Sequence, residues 1–146
     1  MNWDEYMHEL VKVIAMKSKD PSTQVGCVIT TKDHQILATG FNGFPRGVDE
    51  SIAERWERPL KYDLIEHAER NAVYHAARHG VSLRGATAYL NWYPCKDCTK
   101  GLIQAGVDEI VVDAIPRDKD DDWGFQISQL MLKEARVHVR PYGLRE

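Results

Sequence analysis

Two short motifs, His67-Ala68-Glu69 and Pro94-Cys95-Lys96-Asp97-Cys98, constrain this chain more than any other feature of its sequence. Together they offer one imidazole and two thiolates, three of the four ligands of a tetrahedral zinc, and leave one position open for water. For the three to meet, the fold must bring the ends of two distant segments together. Cys95 and Cys98 stand three apart at a predicted helix start and so share one face of that helix. Pro94 suits the first turn, and a helix N-terminus favours thiolate over thiol. His67 falls at a second predicted helix start, which can face the first across a sheet. Glu69 is near enough in sequence to His67 to reach water at the metal without binding the metal itself. Either motif alone is ambiguous, since a lone histidine at a helix start is commonly a surface or capping residue and a lone C-x-x-C suits redox chemistry.

Periodicity places both motifs in an alternating α/β pattern. Asn2 and Glu5 form a capping box ahead of a helix carrying Met7, Leu10, Val11, Ile14 and Ala15 at helical spacing, with Pro21 expected to end it. Residues 24–30 and 35–41 read as a strand hairpin joined by Thr31-Lys32-Asp33-His34. From Asn42 to about Leu64 no period survives, and the segment reads as a long functional loop. Helices are predicted over 66–79, 95–105 and 125–135, the first two stopped by Gly80 and Gly106. Strands are predicted over 86–91, 109–112 and 137–142, with an acidic loop at 118–122. The order predicts a three-layer α/β/α sandwich on one mixed sheet of about five strands. Without repeats or an evident linker, residues 1–146 read as a single domain.

Composition narrows the partners. A net charge of −3 and a pI of about 6.1 argue against nucleic acid, though a small phosphorylated ligand needs only a few local cations. The sequence has no apolar run approaching a membrane span, and Met1-Asn2-Trp3-Asp4-Glu5 is too polar for a secretory signal, so a cytoplasmic protein is expected. Three cysteines cannot all pair within one chain, and Cys27, inside the run Val25–Ile29, reads as a core residue. Trp56, Trp92 and Trp123 read as core or interface anchors, and His75 and His79 as exposed. Among the loop cations Arg46, Arg55, Arg58 and Lys61, each taken singly reads as a surface charge.

The paired motifs resemble the H-x-E…P-C-x-x-C signature of zinc-dependent nucleobase deaminases. Nearly the whole chain is similar to the deoxycytidylate (dCMP) deaminase family. The resemblance runs through Trp3-Asp4-Glu5-Tyr6-Met7, Ser18-Lys19-Asp20-Pro21-Ser22-Thr23-Gln24-Val25-Gly26, Gly40-Phe41-Asn42-Gly43-Phe44-Pro45-Arg46-Gly47, both zinc motifs and Ile103-Gln104-Ala105-Gly106-Val107. It implies a cytidine-deaminase-like fold and hydrolysis of dCMP to dUMP and ammonia, feeding thymidylate synthesis. It implies zinc on His67, Cys95 and Cys98, with Glu69 as the catalytic proton shuttle. Asn42, the backbone N–H of Ala68 and Pro94 would hold the substrate, Asn42 at the sugar and Ala68 at the pyrimidine O2. Lys19, Arg46, Arg117 and Lys119 are candidate phosphate or effector contacts. The resemblance further implies a homo-oligomer, hexamer or dimer, activated by dCTP with Mg2+ and inhibited by dTTP. In one respect the chain departs from the family: many members carry a tyrosine after the fourth strand, where this one reads Ala114-Ile115-Pro116-Arg117-Asp118-Lys119 before an acidic run.

Other readings stay open. Another cytosine nucleotide, dCTP or a modified dCMP, would need only a widened pocket. A tRNA adenosine deaminase fits less well, because those enzymes have a much shorter segment between the asparagine and H-A-E. A structural zinc site would need a fourth protein ligand, for which Cys27 is the only spare cysteine.

Overall fold

A computed structural model describes residues 1–116 and 124–143. Five strands, β1 (Gly26–Thr30), β2 (Ile36–Phe41), β3 (Thr87–Leu90), β4 (Glu109–Val112) and β5 (His138–Pro141), form one sheet in the order β2-β1-β3-β4-β5. β1 runs antiparallel to both neighbours, while β3, β4 and β5 are mutually parallel. The parallel part follows from the crossovers: helix α4 (Lys96–Ala105) links β3 to β4, and helix α5 (Phe125–Glu134) lies between β4 and β5.

Side-chain alternation along the strands builds the three layers. Cys27 and Ile29 of β1, Ala88 and Leu90 of β3, and Ile110 and Val112 of β4 point to one face. There they bury against α4, α5 and helix α3 (Ala68–His79) through Ala68, Ala72, Ala76, Leu102 and Leu132. Val28, Tyr89 and Val111, between them in sequence, point to the other face and meet Met7 and Val11 of helix α1 (Trp3–Ala15). The expected mixed five-stranded sandwich is the one found.

Three boundaries differ from the sequence reading, each for a local reason. Helix α1 ends at Ala15, well before Pro21. The Ser18 hydroxyl, buried, donates to the Asn42 carbonyl at 2.8 Å and accepts from Asp20 N–H, which draws the chain out of the helix. Helix α3 starts at Ala68, not Glu66, because Glu66 exchanges both backbone hydrogen bonds with Gly43 (2.8 and 3.1 Å) and His67 is an extended N-cap. The segment 42–64 is not one structureless loop: it holds a 3-10 turn, Ala53–Trp56, and a short helix α2, Leu60–Leu64. Elements of four and five residues are too short to show a period in sequence.

Candidate active site

The metal motifs meet at two helix N-termini. His67 caps α3, and Cys95 caps α4, where its sulfur accepts from the Cys98 N–H at 3.4 Å. Nδ1 of His67 lies 3.4 Å from Cys95 Sγ and 3.3 Å from Cys98 Sγ. Two of the ligand atoms around a tetrahedral zinc, at bond lengths of about 2.0 and 2.3 Å, stand roughly 3.6 Å apart, so this donor set fits such an ion with little adjustment. Among the described residues it is a set of three with no fourth protein donor; Cys27, buried in β1, belongs to the core.

The protonation chemistry favours a cation at the same point. Hydrogen bonds from Cys98 and His67 bring the Cys95 thiol down to about 4 despite burial. The hydrogen bond that the Cys98 thiol makes with the Cys95 sulfur, and then burial, push the Cys98 thiol up. The hydrogen bond with Cys95 raises His67. Glu69, almost wholly enclosed on the first turn of α3, has its carboxyl pushed up to about 7 by burial, against the opposing pull of its own backbone N–H and of His67. A carboxyl poised near neutrality can both take and give a proton.

These groups open into a cleft. The α3 start contributes His67, Ala68 and Glu69, and the β3–α4 connection contributes Trp92, Tyr93 and Cys95. Asp20, Thr23 and Val25 come from the α1–β1 connection, Asn42 from the end of β2, and Arg58, Lys61, Tyr62 and Ile65 from the segment around α2. Ala68 occupies the first helical turn, where an N–H has no acceptor within its own helix.

Asn42 lies in the cleft, but its amide is largely committed to the protein. Its Nδ2 donates to Thr23 O (2.9 Å) and Asp20 Oδ2 (3.3 Å), and its Oδ1 accepts from Val25 N–H (2.8 Å). One lone pair of Oδ1 is left for a ligand. Pro94 is buried behind Cys95 and is not among the residues that line the cleft.

Several residues expected at the site from the sequence sit elsewhere. Lys19 and Arg46 line a second cavity, with Gly43, Phe44 and His75, away from the sulfurs. Lys19 pairs there with Glu50 at 2.7 Å, and Arg46 contacts His75 Nε2. His75 is therefore not the exposed residue expected: its Nδ1 also bonds Thr39 O at 2.6 Å. Trp92, beside the C-x-x-C motif in sequence, is 46% exposed at the cleft and so is no core residue, whereas Trp56 is half-buried and stacks on Phe44. Arg117, Lys119 and Trp123 lie outside the described residues. Lys61, expected from sequence to be a surface cation, is buried and holds Asp20 at 3.0 Å. Asp20, which lines the cleft, is a residue that sequence reasoning does not single out. Its Oδ1 accepts from Ser22 and Thr23 N–H, the Asx turn that an Asp-Pro-Ser-Thr stretch favours, and that signal is present in the sequence.

Comparison with known proteins agrees with this geometry. The family model for the cytidine and deoxycytidylate deaminase zinc-binding region matches residues 1–114. An uncharacterized deaminase of Aliivibrio fischeri is 38% identical over 94% of this chain and 91% of its own length. A probable deoxycytidylate deaminase of Caenorhabditis elegans is 37% identical over 88% of this chain, which spans 64% of that longer protein. The dCMP deaminase of cyanophage S-TIM5, whose structure has been solved in complex with dCMP and dUMP, superposes with a TM-score of 0.75 at 25% identity, covering 97% of this chain and 98% of the phage chain. The chain belongs to the cytidine and deoxycytidylate deaminase family.

Proposed function

We propose that this deaminase hydrolyses dCMP to dUMP and ammonia, with His67, Cys95 and Cys98 holding one zinc ion and Glu69 moving the protons. The observation that carries the reading is the three-donor set beside a buried carboxyl at the head of one cleft. Three protein donors suit a catalytic zinc, which supplies a Lewis acid that acidifies water at neutral pH.

Glu69 takes a proton from the attacking water and delivers it to the ring nitrogen beside the amino-bearing carbon. The carboxyl, now ionised again, takes the hydroxyl proton of the tetrahedral adduct and passes it to the departing amine. A carbon–oxygen bond forms, the carbon–nitrogen bond breaks, and ammonia leaves, so the proton count closes without another acid. The Ala68 N–H meets the pyrimidine O2, and the remaining lone pair of Asn42 Oδ1 accepts from a sugar hydroxyl. Burial of Glu69 keeps bulk water from competing for its proton.

The same reading takes residues 1–146 as one deaminase domain working in the cytoplasm as a homo-oligomer and supplying dUMP for thymidylate synthesis. No described helix is long and apolar enough to cross a membrane. Control by dCTP with Mg2+ and by dTTP rests on the family resemblance, and Lys19 and Arg46, in their separate cavity, suit an effector better than the substrate.

Ultraviolet-monitored turnover of dCMP, CMP, dCTP, deoxycytidine and adenosine nucleotides by the zinc-loaded protein tests the substrate. Strong preference for dCMP is the expected outcome, and turnover of another member alone would replace the substrate while keeping the chemistry. Glu69→Gln should retain zinc and lose about 10³-fold or more in kcat; unchanged turnover would refute the shuttle.

A further inference from the structure

We propose that Lys61 and Arg58 form the anion-binding end of the cleft and select a nucleotide over a nucleoside by meeting its 5′-phosphate. The inference rests on the deoxycytidylate reading above and assigns the residues that read the phosphate.

Burial of Lys61 is the first ground. Its residue is 4% exposed, yet it lines the cleft that contains Glu69 and Cys95. Burying an ammonium is costly, and an apolar pair would pack the same space at no such penalty. Its partner Asp20 already shares its charge widely: Oδ1 accepts from Ser22 N–H (2.8 Å) and Thr23 N–H (3.3 Å) as well as from Lys61 (3.0 Å), and Oδ2 accepts from Asn42 (3.3 Å). Asp20 thus uses one of the three N–H donors of Lys61, and no other hydrogen-bond acceptor meets that nitrogen among the described residues. Donors remain for a ligand.

Arg58 is the second ground. Its side chain is exposed, lines the same cleft and makes no ion pair among the described residues. Tyr62 ties the two cations together, with the Arg58 guanidinium 5.7 Å and the Lys61 ammonium 5.8 Å from its ring centroid. Arg58 and the 46%-exposed Tyr62 mark the mouth of the cleft, while Glu69, at 3%, marks its depth. A nucleotide with its base at Glu69 would bring its phosphate to the mouth. Two cations against the one dispersed charge of Asp20 leave that end net positive, as a monophosphate requires.

A purely structural Lys61, clamping α2 to the Asp20 turn, would affect every substrate alike. The test therefore compares kcat/KM for dCMP with kcat/KM for deoxycytidine in the zinc-loaded wild type and in Arg58→Gln, Lys61→Gln and Lys61→Arg. Both Gln variants should lose about ten- to a hundred-fold in the dCMP-to-deoxycytidine ratio. Arg58→Gln does so through dCMP alone, Lys61→Gln on top of a loss common to both substrates from the stranded Asp20, while Lys61→Arg preserves most of the ratio. Inorganic phosphate should inhibit deoxycytidine turnover by the wild type and lose that effect in Arg58→Gln. Arg58 is exposed, so Arg58→Gln carries the test even where Lys61→Gln does not fold. A wild-type preference for dCMP that Arg58→Gln and Lys61→Gln both keep overturns this assignment alone. A wild type that gains nothing from the phosphate overturns the nucleotide reading itself.

Discussion

Glu69 carries a charge that the protein interior resists. Burial moves its carboxyl from an ordinary 4.5 to about 7, so between those values the folded metal-free chain binds a proton that the unfolded chain has released. Stability contributed by the protonated group is fully present below pH 4.5 and is lost as pH rises through 7. Glu69→Gln removes that loss. Thermal melts of the two metal-free proteins should therefore diverge across this window, the Gln variant gaining up to about 3 kcal/mol relative to wild type by pH 7. The Cys95–Cys98 pair contributes an opposite slope in both proteins, so the difference reports Glu69 together with its coupling to that pair. Parallel melting curves would mean that Glu69 is not charged against its surroundings. The identity of this residue was legible in sequence, because H-x-E beside C-x-x-C leaves a carboxylate with no ligand duty. Its titration near neutrality was not legible, since it comes from atoms of several elements closing over it.

At the scale of elements, the site depends on how closely α3 lies on β2. A methyl group on Gly40 would sit 2.3 Å from the Ala68 carbonyl oxygen and 2.5 Å from the Ala72 nitrogen. Both are backbone atoms of the helix that presents His67 and Glu69, so the helix itself must move. Gly40→Ala should cost about 3 kcal/mol, lowering the melting temperature by roughly 10 °C, and weaken zinc binding in competition with a chelator. A variant that melts and binds zinc like wild type would show that β2 and α3 can separate without disturbing the donors. The glycine was visible in the sequence, but only as part of a resembling motif. Its contact with Ala68 required the register of the strand against the helix. The same holds for Asn42, whose amide links Thr23, Asp20 and Val25 and is committed to the protein before a ligand arrives.

Across the whole molecule, Asp4 and Arg140 join the first helix to the last strand. Arg140 Nη1 and Nη2 reach the two Asp4 oxygens at 2.6 and 3.1 Å, and Nε lies 3.4 Å from Glu109. Asp4, 1% exposed, also accepts from Gly143 N–H at 2.9 Å. Arg140→Met would leave a buried carboxylate without its cation, at a cost of about 3–5 kcal/mol in urea unfolding. Adding Asp4→Asn should recover much of that loss by removing the stranded charge. Equal stability of the single and double variants would show that the pair acts through packing and not through charge. Nothing in the sequence couples residues so far apart. In isolation, Asp4 is only an acidic residue in the first turn of a helix, where the helix dipole favours it.

The sequence by itself determined the strands through short apolar runs bounded by polar links, the long helices through capping and periodicity, and the meeting of His67, Cys95 and Cys98 through motif spacing. The signals for all of these are local, set within a few residues. The tertiary structure alone decided that Lys61 is buried with Asp20 and that His75 serves Thr39 and Arg46. The physical reason is common to both. Whether a polar or aromatic side chain faces water depends on which distant segment packs over it, and the short elements between residues 42 and 64 have too little period to announce where they pack.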